Sequence, residues 1–506
     1  MASGQGSNSE VNKHPFVRDW IHHVTGSDPR ATINALQGWD CQPSSLVRSS
    51  DMRSLALGTG ASIFQTTLLP ALESAQHEVI LVTCFWARSL TLDLLSASLL
   101  KLSARARHLG RKIRVRICFS SLSLFQKLFH TTSPEGHVYA PSTWPTKLGL
   151  PAASELPGLE MEVKSIFMLP FSVMHPKFLI VDRCRVLLPS CNVSWEDWFE
   201  GCVDLRGLIV ETFFTFWHRF WASSQDRIRE ATPLVADQEP SEEDYTVTTP
   251  PVDAQPLRQS TSVLPIHNTL QLSSVPSIFL PSRHHIDPSF RPFPFQRFPR
   301  ASNPLNTFLL SLFARAQNRI YIQTPNLTSP PVLHALLNAL SRGIDRASHD
   351  PRAARHRRDN DLALRPQTHK RTPTPAAPSP PPPVPSASSS SSALALAEEG
   401  RLTGRNIGAL RIEFYHARTT AEQVAPDRAA VGVITAAEPV QSHLKLSTVD
   451  DEVVVLGSGN LDRASWYTSQ ELGVAFFSTQ LAAELHSSLS RALAGRKRVA
   501  YDSAGV

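Results

Sequence analysis

The sequence predicts an α/β protein built from two similar halves. Apolar helices alternate with short β-branched strands in two separate blocks of the chain. The blocks repeat the same order of elements, and each contains one copy of the same polar motif. These observations predict two α/β/α sandwich domains related by internal duplication, with pseudo-two-fold symmetry and one shared site.

Two segments have a linker-like composition: one separates the two blocks and the other interrupts the second block. Residues 236–300 are rich in Pro, Arg and Phe, and residues 346–404 are basic, then rich in Pro and Ser. Such sequences bury too little apolar surface to order themselves, so we expect disorder in both. The predicted organisation is an N-terminal arm (1–54), domain 1 (55–235), a linker (236–300), domain 2 (301–495, with the insertion 346–404) and a tail (496–506).

Within each block the predicted order is helix, strand, helix, strand. The first helix is amphipathic and runs directly into a β-branched strand, as in a βα-type unit. The predicted elements are 64–75, 79–83, 90–102 and 113–119 in the first block, and 308–316, 320–324, 332–340 and 410–415 in the second.

Bulk composition narrows the classes of partner and compartment. The net charge of +6 among 506 residues favours an anionic partner, either an acidic lipid surface or nucleic acid. No stretch of 18 uncharged apolar residues occurs and the first ten residues lack an apolar run, so we expect a cytoplasmic protein that meets membranes only at their surface. Six cysteines without a Cys-x-x-Cys pair predict buried free thiols and no zinc site.

One polar motif occurs twice, once in each block. Both copies have the pattern His-x-Lys-x4-Asp, which average residue usage produces by chance at about one position in 20,000. Two copies at equivalent places in a duplicated chain are therefore not accidental. The residues are His175, Lys177 and Asp182 in the first copy, and His443, Lys445 and Asp450 in the second.

The motif spacing predicts which of its side chains face the chemistry. Each His-x-Lys opens an apolar run typical of a strand, so histidine and lysine at i and i+2 project from the same face. Asp182 and Asp450 have the opposite parity and lie beside a predicted hairpin turn. We therefore expect both aspartates to be structural and to bind turn backbone or neighbouring side chains.

Further polar residues follow each motif at matched distances. A Ser-x-Asn pair begins 15 residues after each histidine: Ser190 and Asn192, then Ser458 and Asn460. Gly457 and Gly459 around the second serine would let backbone approach a phosphate closely. Glu471 lies 28 residues beyond the second histidine. In the first half Val203 occupies the equivalent position, which leaves Asp204 or Glu200 as alternative counterparts.

These motifs resemble those of the phospholipase D superfamily, and the second loop, from Gly457 to Ser465, is similar to the cardiolipin synthase branch. The first loop departs from the pattern because Pro189 replaces a glycine. The resemblance covers both blocks and implies phosphodiester chemistry without a metal or other cofactor. It also implies a monomer, because one chain supplies both half-sites.

The resemblance implies roles for the individual residues. A neutral histidine attacks phosphorus to form a phosphohistidine, and a protonated histidine donates to the leaving alcohol. We assign these roles to His175 and His443, and expect Glu471 to hold the histidine of its own half. Phosphate contacts are expected from both lysines and from Ser190, Asn192, Ser458 and Asn460.

The sequence leaves the substrate open among three readings. Hydrolysis or transfer on phospholipids is favoured by the cardiolipin synthase-like loop. A nuclease or nucleic-acid phosphodiesterase is the alternative, favoured by the basic charge. An inactive scaffold is the third, and the presence of every motif histidine and lysine argues against it.

Overall fold

The computed structural model describes nine ranges of the chain. These are residues 14–25, 43–123, 126–127, 135–168, 172–231, 264–282, 303–349, 408–418 and 438–503. Most of the predicted linker and insertion (232–263, 283–302 and 350–407) lies outside them, so the prediction of disorder there stays a prediction.

The described strands number 19. In the first half they are β1 Val47–Thr59, β2 Glu78–Phe85, β3 Ile113–Ser121, β4 His137–Val138, β5 Leu159–Ser165, β6 Phe167–Met168, β7 Ser172–Val173, β8 Phe178–Val181, β9 Arg185–Pro189 and β10 Trp198–Arg206. In the second half they are β11 Ile266–Ser282, β12 Arg319–Gln323, β13 Asp345–His349, β14 Leu410–Tyr415, β15 Gln441–Ser442, β16 Leu446–Val449, β17 Val453–Gly457, β18 Glu471–Phe477 and β19 Lys497–Asp502.

Helices connect and cover these strands. The α-helices are Pro15–Thr25, Gly60–Ile63, Leu69–Ser74, Leu90–His108, Ile209–Phe220, Ser224–Ala231, Pro304–Arg315, Pro330–Ser341, Arg463–Tyr467 and Thr479–Ala492. Wider π turns occur at Phe64–Leu68 and Trp144–Leu148, and 3-10 turns at Pro43–Leu46, Pro141–Thr143 and Ala153–Glu155. None of the helices in the described ranges combines the length and apolar character that a membrane crossing requires.

Sheet order makes the duplication visible. Seventeen of the described strands form one continuous sheet. Sixteen of them follow the order β4-β5-β3-β2-β8-β9-β10-β1 through the first half and β11-β18-β17-β16-β12-β13-β14-β19 through the second. The short strand β15 pairs in parallel with β10. The second series mirrors the first about the antiparallel β1–β11 pair. The two halves are thus related by pseudo-two-fold symmetry, as predicted.

The sheet of the first half is buried on both faces. Val79 and Leu81 of β2 belong to the apolar cluster that includes helix Leu90–His108, whereas Ile80 and Val82 belong to the cluster that includes helix Ile209–Phe220. Alternate residues of a strand point to opposite faces, so this split places helical layers on both sides of the sheet. The predicted α/β/α sandwich is confirmed.

The central pair of strands corrects two predicted boundaries. β11 lies inside the segment predicted as a disordered linker, and β1 begins within the predicted arm. Both strands are long because they pair with each other and with β10 and β18. Ile278 and Phe279 of β11 are fully buried. The polar residues nearby conceal this strand from composition-based prediction.

Two further expectations about the second half change. We matched strand 410–415 with strand 113–119, yet the sheet order places β13 at the position equivalent to β3, and β14 at that of β5. β13 overlaps the start of the predicted insertion 346–404. The tail is also ordered in part, because β19 pairs with β14.

The N-terminal helix packs on the second half of the protein. The rings of Phe16 and Trp20 lie edge-on to Phe308, with centroids 5.1 and 5.6 Å away. Phe16 and Trp20 are buried there. Part of the predicted arm therefore belongs to the core of domain 2. Among the described cysteines four are buried and Cys184 is exposed, all as free thiols.

Candidate active site

Strands β8 and β16 begin directly after the two His-x-Lys sequences. Lys177 and Lys445 are buried, and each ammonium donates a hydrogen bond to the backbone carbonyl of its own motif histidine, at 3.0 Å for His175 and 2.7 Å for His443. This bond holds each Nζ beside its histidine. The remaining N–H donors of each ammonium suit an anionic ligand.

The imidazole of His175 is held by a carboxylate from the other half. Its Nδ1 lies 2.8 Å from Oε2 of Glu471, the first residue of β18. Glu471 is almost fully buried and also accepts a hydrogen bond of 2.6 Å from Ser458 Oγ. A carboxylate at Nδ1 favours the tautomer that places the proton there and leaves Nε2 as the reactive nitrogen.

The second histidine has the reciprocal arrangement. Nδ1 of His443 lies 2.7 Å from Oε1 of Glu200, which is on β10 in the first half. The other oxygen of Glu200 accepts a hydrogen bond from the hydroxyl of Ser190. Each half therefore supplies the histidine of one pair and the carboxylate of the other.

Backbone hydrogen bonds between the halves set this exchange. The amide of His175 donates to the carbonyl of Gln470 at 2.9 Å, and the amide of His443 donates to the carbonyl of Phe199 at 2.8 Å. Gln470 and Phe199 directly precede the two glutamates. Each histidine is thus placed beside the opposite glutamate by main-chain geometry.

Burial and charge determine the protonation of this site. Burial lowers the pKa of His443 to about 3 and also lowers that of His175, although the paired carboxylates oppose the change. Each lysine contributes to the depression at the opposite histidine, which places the two motifs within electrostatic range. Burial lowers the pKa of Lys445 to about 7, which makes its charge sensitive to a bound anion.

The two glutamates keep their charge despite burial. Burial alone would raise the pKa of Glu471. His175 and the hydroxyl groups around the carboxylate have a larger effect in the opposite direction, so the pKa is lowered. The same balance, with His443 and Lys445, lowers the pKa of Glu200. Both histidine–carboxylate pairs therefore hold a negative charge at the Nδ1 side.

The predicted role of the two serines requires a correction. We expected Ser190 and Ser458 to donate to phosphate, but both hydroxyls donate to the glutamates and accept from the backbone amides of Gly201 and Leu472. Both serines are buried behind the carboxylates. They orient the glutamates instead.

The two asparagines were predicted to donate hydrogen bonds to phosphate, and Asn192 keeps a donor for this purpose. Asn192 Oδ1 accepts from the amide of Phe85 at 3.2 Å, which leaves its Nδ2 as the donor for a ligand. Asn460 Nδ2 donates to Asp462 at 3.2 Å. Gly457 was predicted to let a phosphate approach the backbone. The structure gives a different reason for a glycine at this position, because a Cβ would clash with the carbonyl oxygen of Leu472.

The motif aspartates bind backbone, away from the histidines. Asp182 accepts hydrogen bonds from the amides of residues 76, 77 and 78 at 2.7–2.8 Å. Asp450 accepts from the amides of residues 317, 318 and 319 at 2.7–2.9 Å. Both aspartates begin hairpin turns with positive φ, as the parity argument predicts. Asp204 pairs with Arg185 at 2.7 Å and is structural as well.

The carboxylate assignment is the main correction at the site. We expected Glu471 to serve the histidine of its own half, and it contacts His175 instead. The counterpart of Glu471 is Glu200, which lies 25 residues after His175, whereas Glu471 lies 28 residues after His443. The offset misleads because helix Arg463–Tyr467 lengthens the second copy. The signal that finds Glu200 is its position near the start of the apolar strand that follows the Ser-x-Asn pair, where Glu471 also lies.

Comparisons with known proteins agree with this fold. Residues 408–493 match the family described as "Cardiolipin synthase, PLD-like domain". The phosphatidylserine synthase of Haemophilus influenzae Rd KW20 is similar in structure, with a TM-score of 0.50 and 13% identity over 90% of this chain and 91% of that one. The fold is thus of the phospholipase D type. The resemblance to the phospholipase D superfamily is confirmed for residues 408–493, which match a phospholipase D-like domain of the cardiolipin synthase kind.

Other solved structures match with lower scores. The phospholipase D family member Nuc of Salmonella typhimurium is 19% identical over 39% of this chain and 90% of its own, with a TM-score of 0.23. The polyphosphate kinase of Porphyromonas gingivalis is 10% identical over 86% of this chain and 46% of its own, with a TM-score of 0.39. Curated protein sequences contain no match. In the described ranges, no three His, Cys, Asp or Glu side chains converge as a metal site requires.

Proposed function

We propose that the protein is a phospholipase D-type phosphodiesterase that hydrolyses phospholipids or transfers their phosphatidyl group to an alcohol. The observation that carries this proposal is the reciprocal pairing of His175 with Glu471 and of His443 with Glu200. Two imidazoles oriented through Nδ1, beside two ammonium groups, suit nucleophilic displacement at a phosphate anion.

The proposed reaction has two displacements at phosphorus. Nε2 of His175 attacks, the bond from phosphorus to the leaving alcohol breaks, and protonated His443 gives that alcohol its proton. His443 then takes a proton from water or a second alcohol, which attacks phosphorus and breaks the P–N bond. A bound phosphate anion raises the pKa of both imidazoles, which favours the protonated form of His443 during the first step.

Exposure of the two histidines supports this division of roles. The side chain of His175 is 16% exposed and that of His443 is 10% exposed. The indole of Trp198 lies over the His443 ring, with centroids 4.6 Å apart. The more open imidazole is better placed to meet phosphorus, while the covered one exchanges protons with smaller groups.

A lipid substrate is supported by the family of the second domain. Residues 408–493 match a domain of cardiolipin synthase, and cardiolipin is a phospholipid. We further propose that the protein is a cytoplasmic monomer and that it acts at a membrane surface. A nucleic-acid phosphodiesterase is the competing activity, and the net charge of +6 is the observation in its favour.

The test is a substrate comparison in the presence of EDTA. Purified protein is incubated with mixed phospholipid micelles and a primary alcohol, and separately with single-stranded DNA and RNA. Phosphatidyl-alcohol formation that is abolished by His175→Ala and by His443→Ala supports the proposal. His108→Ala, at an exposed helix end, is the matched control. Oligonucleotide cleavage without lipid turnover would overturn it.

A trapping experiment tests the nucleophile. Brief incubation with labelled phospholipid, followed by quenching, should yield acid-labile, base-stable phosphorylation. We expect label to accumulate in His443→Ala, more slowly because the leaving alcohol lacks its acid, but persistently because water lacks its base, and to be absent in His175→Ala. The reverse pattern would exchange the two roles.

A further inference from the structure

The two halves differ in the segment that joins the Ser-x-Asn pair to the glutamate. In the second half, residues 461–470 include helix Arg463–Tyr467, which is capped by the carboxylate of Asp462. In the first half, residues 193–199 form no helix and contain the sequence Trp195-Glu196-Asp197-Trp198. The symmetry of the site is broken here.

Main-chain hydrogen bonds hold this acidic and aromatic segment against both halves. The amide of Ala87 donates to the carbonyl of Val193 at 2.9 Å, within the first half. The amide of Val440, from the second half, donates to the carbonyl of Asp197 at 2.8 Å. Trp198 then pairs in parallel with Gln441. Both ends of the segment are therefore fixed beside the site.

The aromatic side chains are placed differently in the two halves, because the second half has Trp466 and Tyr467 on helix Arg463–Tyr467, and Trp466 is buried. Trp198, two residues before Glu200, lies over the ring of His443. The equivalent residue before Glu471 is Ser469. The indole of Trp195 is 55% exposed, an unusual exposure for so large an apolar group. Aromatic surface thus lines one side of the site.

Glu196 lies two residues before Trp198, on the segment that is fixed beside the site. Its side chain is half-buried, and the hydroxyl of Ser194 donates to it. Burial raises the pKa of Glu196 to about 7, while Lys177 and Lys445 act in the opposite direction. The carboxyl group is therefore within electrostatic range of both ammonium groups without an ion pair of its own among the described residues.

We propose that Glu196 and Trp198 select the alcohol portion of the substrate, and that this alcohol carries a positively charged amine. The inference rests on the proposed function and adds the class of headgroup. Two lysines attract the phosphate anion. The carboxyl group of Glu196, whose ionised form a neighbouring cation favours, attracts a cation attached a few bonds away. An indole face adds cation–π attraction for an ammonium group.

The same arrangement disfavours a polyanion. In a nucleic acid, further phosphates would lie on both sides of the scissile one. Glu196 and the exposed Asp197 would then face like charges, which costs affinity. A zwitterionic phospholipid presents one phosphate and one ammonium group, and so matches both signs of charge at the site.

The test compares two lipids in micelles of an uncharged detergent. We measure kcat/KM for phosphatidylethanolamine, which has an ammonium group, and for phosphatidylglycerol, which has none. The wild-type protein should prefer phosphatidylethanolamine. Glu196→Gln should reduce the ratio of the two values by about tenfold or more, and Glu196→Asp should restore part of it. Glu211→Gln, which removes an exposed carboxylate from helix Ile209–Phe220, should keep the wild-type ratio.

Substitutions of Trp198 provide a second, independent test of the ratio of kcat/KM for the two lipids. Trp198→Phe keeps an aromatic face and should retain most of the preference, whereas Trp198→Leu should lose it. A ratio that Glu196→Gln leaves unchanged, or a wild-type preference for phosphatidylglycerol, would overturn the inference. Total activity on the two lipids reports on the proposed function separately. Absence of turnover on both lipids would reject the inference together with it.

Discussion

The Nδ1 atom of His175 lies 2.8 Å from Oε2 of Glu471, a residue 296 positions later and in the opposite half of the protein. Glu200 and His443 repeat the relationship in the other direction at 2.7 Å. Neither pair is formed within one half. The orientation of each imidazole therefore depends on the folding of both halves.

Removal of either carboxylate should impair the chemistry more than the binding of substrate. Glu471→Gln leaves an amide at the position of the anion, so the His175 imidazolium and its tautomer lose their support. We expect kcat to fall about 100-fold or more, by analogy with other histidine–carboxylate pairs. The double variant with His175→Ala should be little worse than His175→Ala alone, because the two residues act as a unit. Additive effects would contradict the pairing.

Ser458 should act through Glu471 and not through the phosphate. Ser458→Ala removes the hydrogen bond of 2.6 Å to the carboxylate. We expect kcat to fall about tenfold while KM changes less than twofold, since one hydrogen bond to a charged group is lost. Steady-state kinetics on lipid micelles measure both constants. A rise in KM at constant kcat would return Ser458 to the phosphate-binding role.

The motif aspartates should affect stability and not catalysis. Asp182→Ala leaves three backbone amides without their acceptor, and we expect a loss of about 2–3 kcal/mol in the free energy of unfolding. Activity per folded molecule should stay near the wild-type value. Thermal unfolding and active-site titration give the two readings, with Glu484→Ala as the exposed carboxylate control. A folded but inactive variant would contradict a structural role.

The central strand β11 should be essential for stability although its surroundings resemble a linker. Phe279 is fully buried between Phe213 and Phe216, at ring-centroid distances of 5.0 and 5.7 Å. Phe279→Ala should cost about 3–5 kcal/mol. Gln271→Ala, at an exposed position of the same strand, should stay within about 0.5 kcal/mol of wild type. Equal effects of both changes in chemical denaturation would disprove the core position of Phe279.

Acid should destabilise the protein from about pH 6.5 downward. The pKa of His443 is about 3 in the folded protein and about 6.5 in an unfolded chain, so the unfolded state binds more protons between these values. Stability is therefore present above pH 6.5 and is lost as the pH falls. Glu200, whose pKa is lowered, adds a loss in the same direction below its ordinary value of about 4.5.

His443→Gln tests this pH dependence directly. It removes the titrating imidazole, so the unfolding temperature should fall less steeply between pH 7 and 5 than in the wild type. Differential scanning calorimetry at several pH values measures the slope. Equal slopes for the two proteins would show that His443 does not contribute.

Local pattern was sufficient to predict the repeat and the equivalence of the two His-x-Lys pairs. Each pair directly precedes a strand, β8 or β16, and each lysine binds the carbonyl of its own histidine. The structural role of Asp182 follows from strand parity, and its three amide partners are found where a turn aspartate is expected. These features depend on neighbours within a few residues.

Long-range pairing accounts for what the sequence did not predict. β11 is polar at alternate positions, and its strand character comes from β1 and β18, which are distant in the chain. The exchange of glutamates arises from hydrogen bonds at Phe199 and Gln470, across the two halves. A helix of five residues in one copy, absent in the other, shifted the alignment of Glu200 with Glu471. No local pattern records such contacts.

Each half supplies the carboxylate that orients the histidine of the other half, so catalytic activity should require that both halves are folded and associated. A chain that has folded one half contains a histidine without its glutamate and a glutamate without its histidine. Such an intermediate cannot attack the phosphodiesters around it during synthesis. Two separately produced halves should each be catalytically inactive. Activity should appear only when they are mixed, and it should increase with the fraction of associated halves.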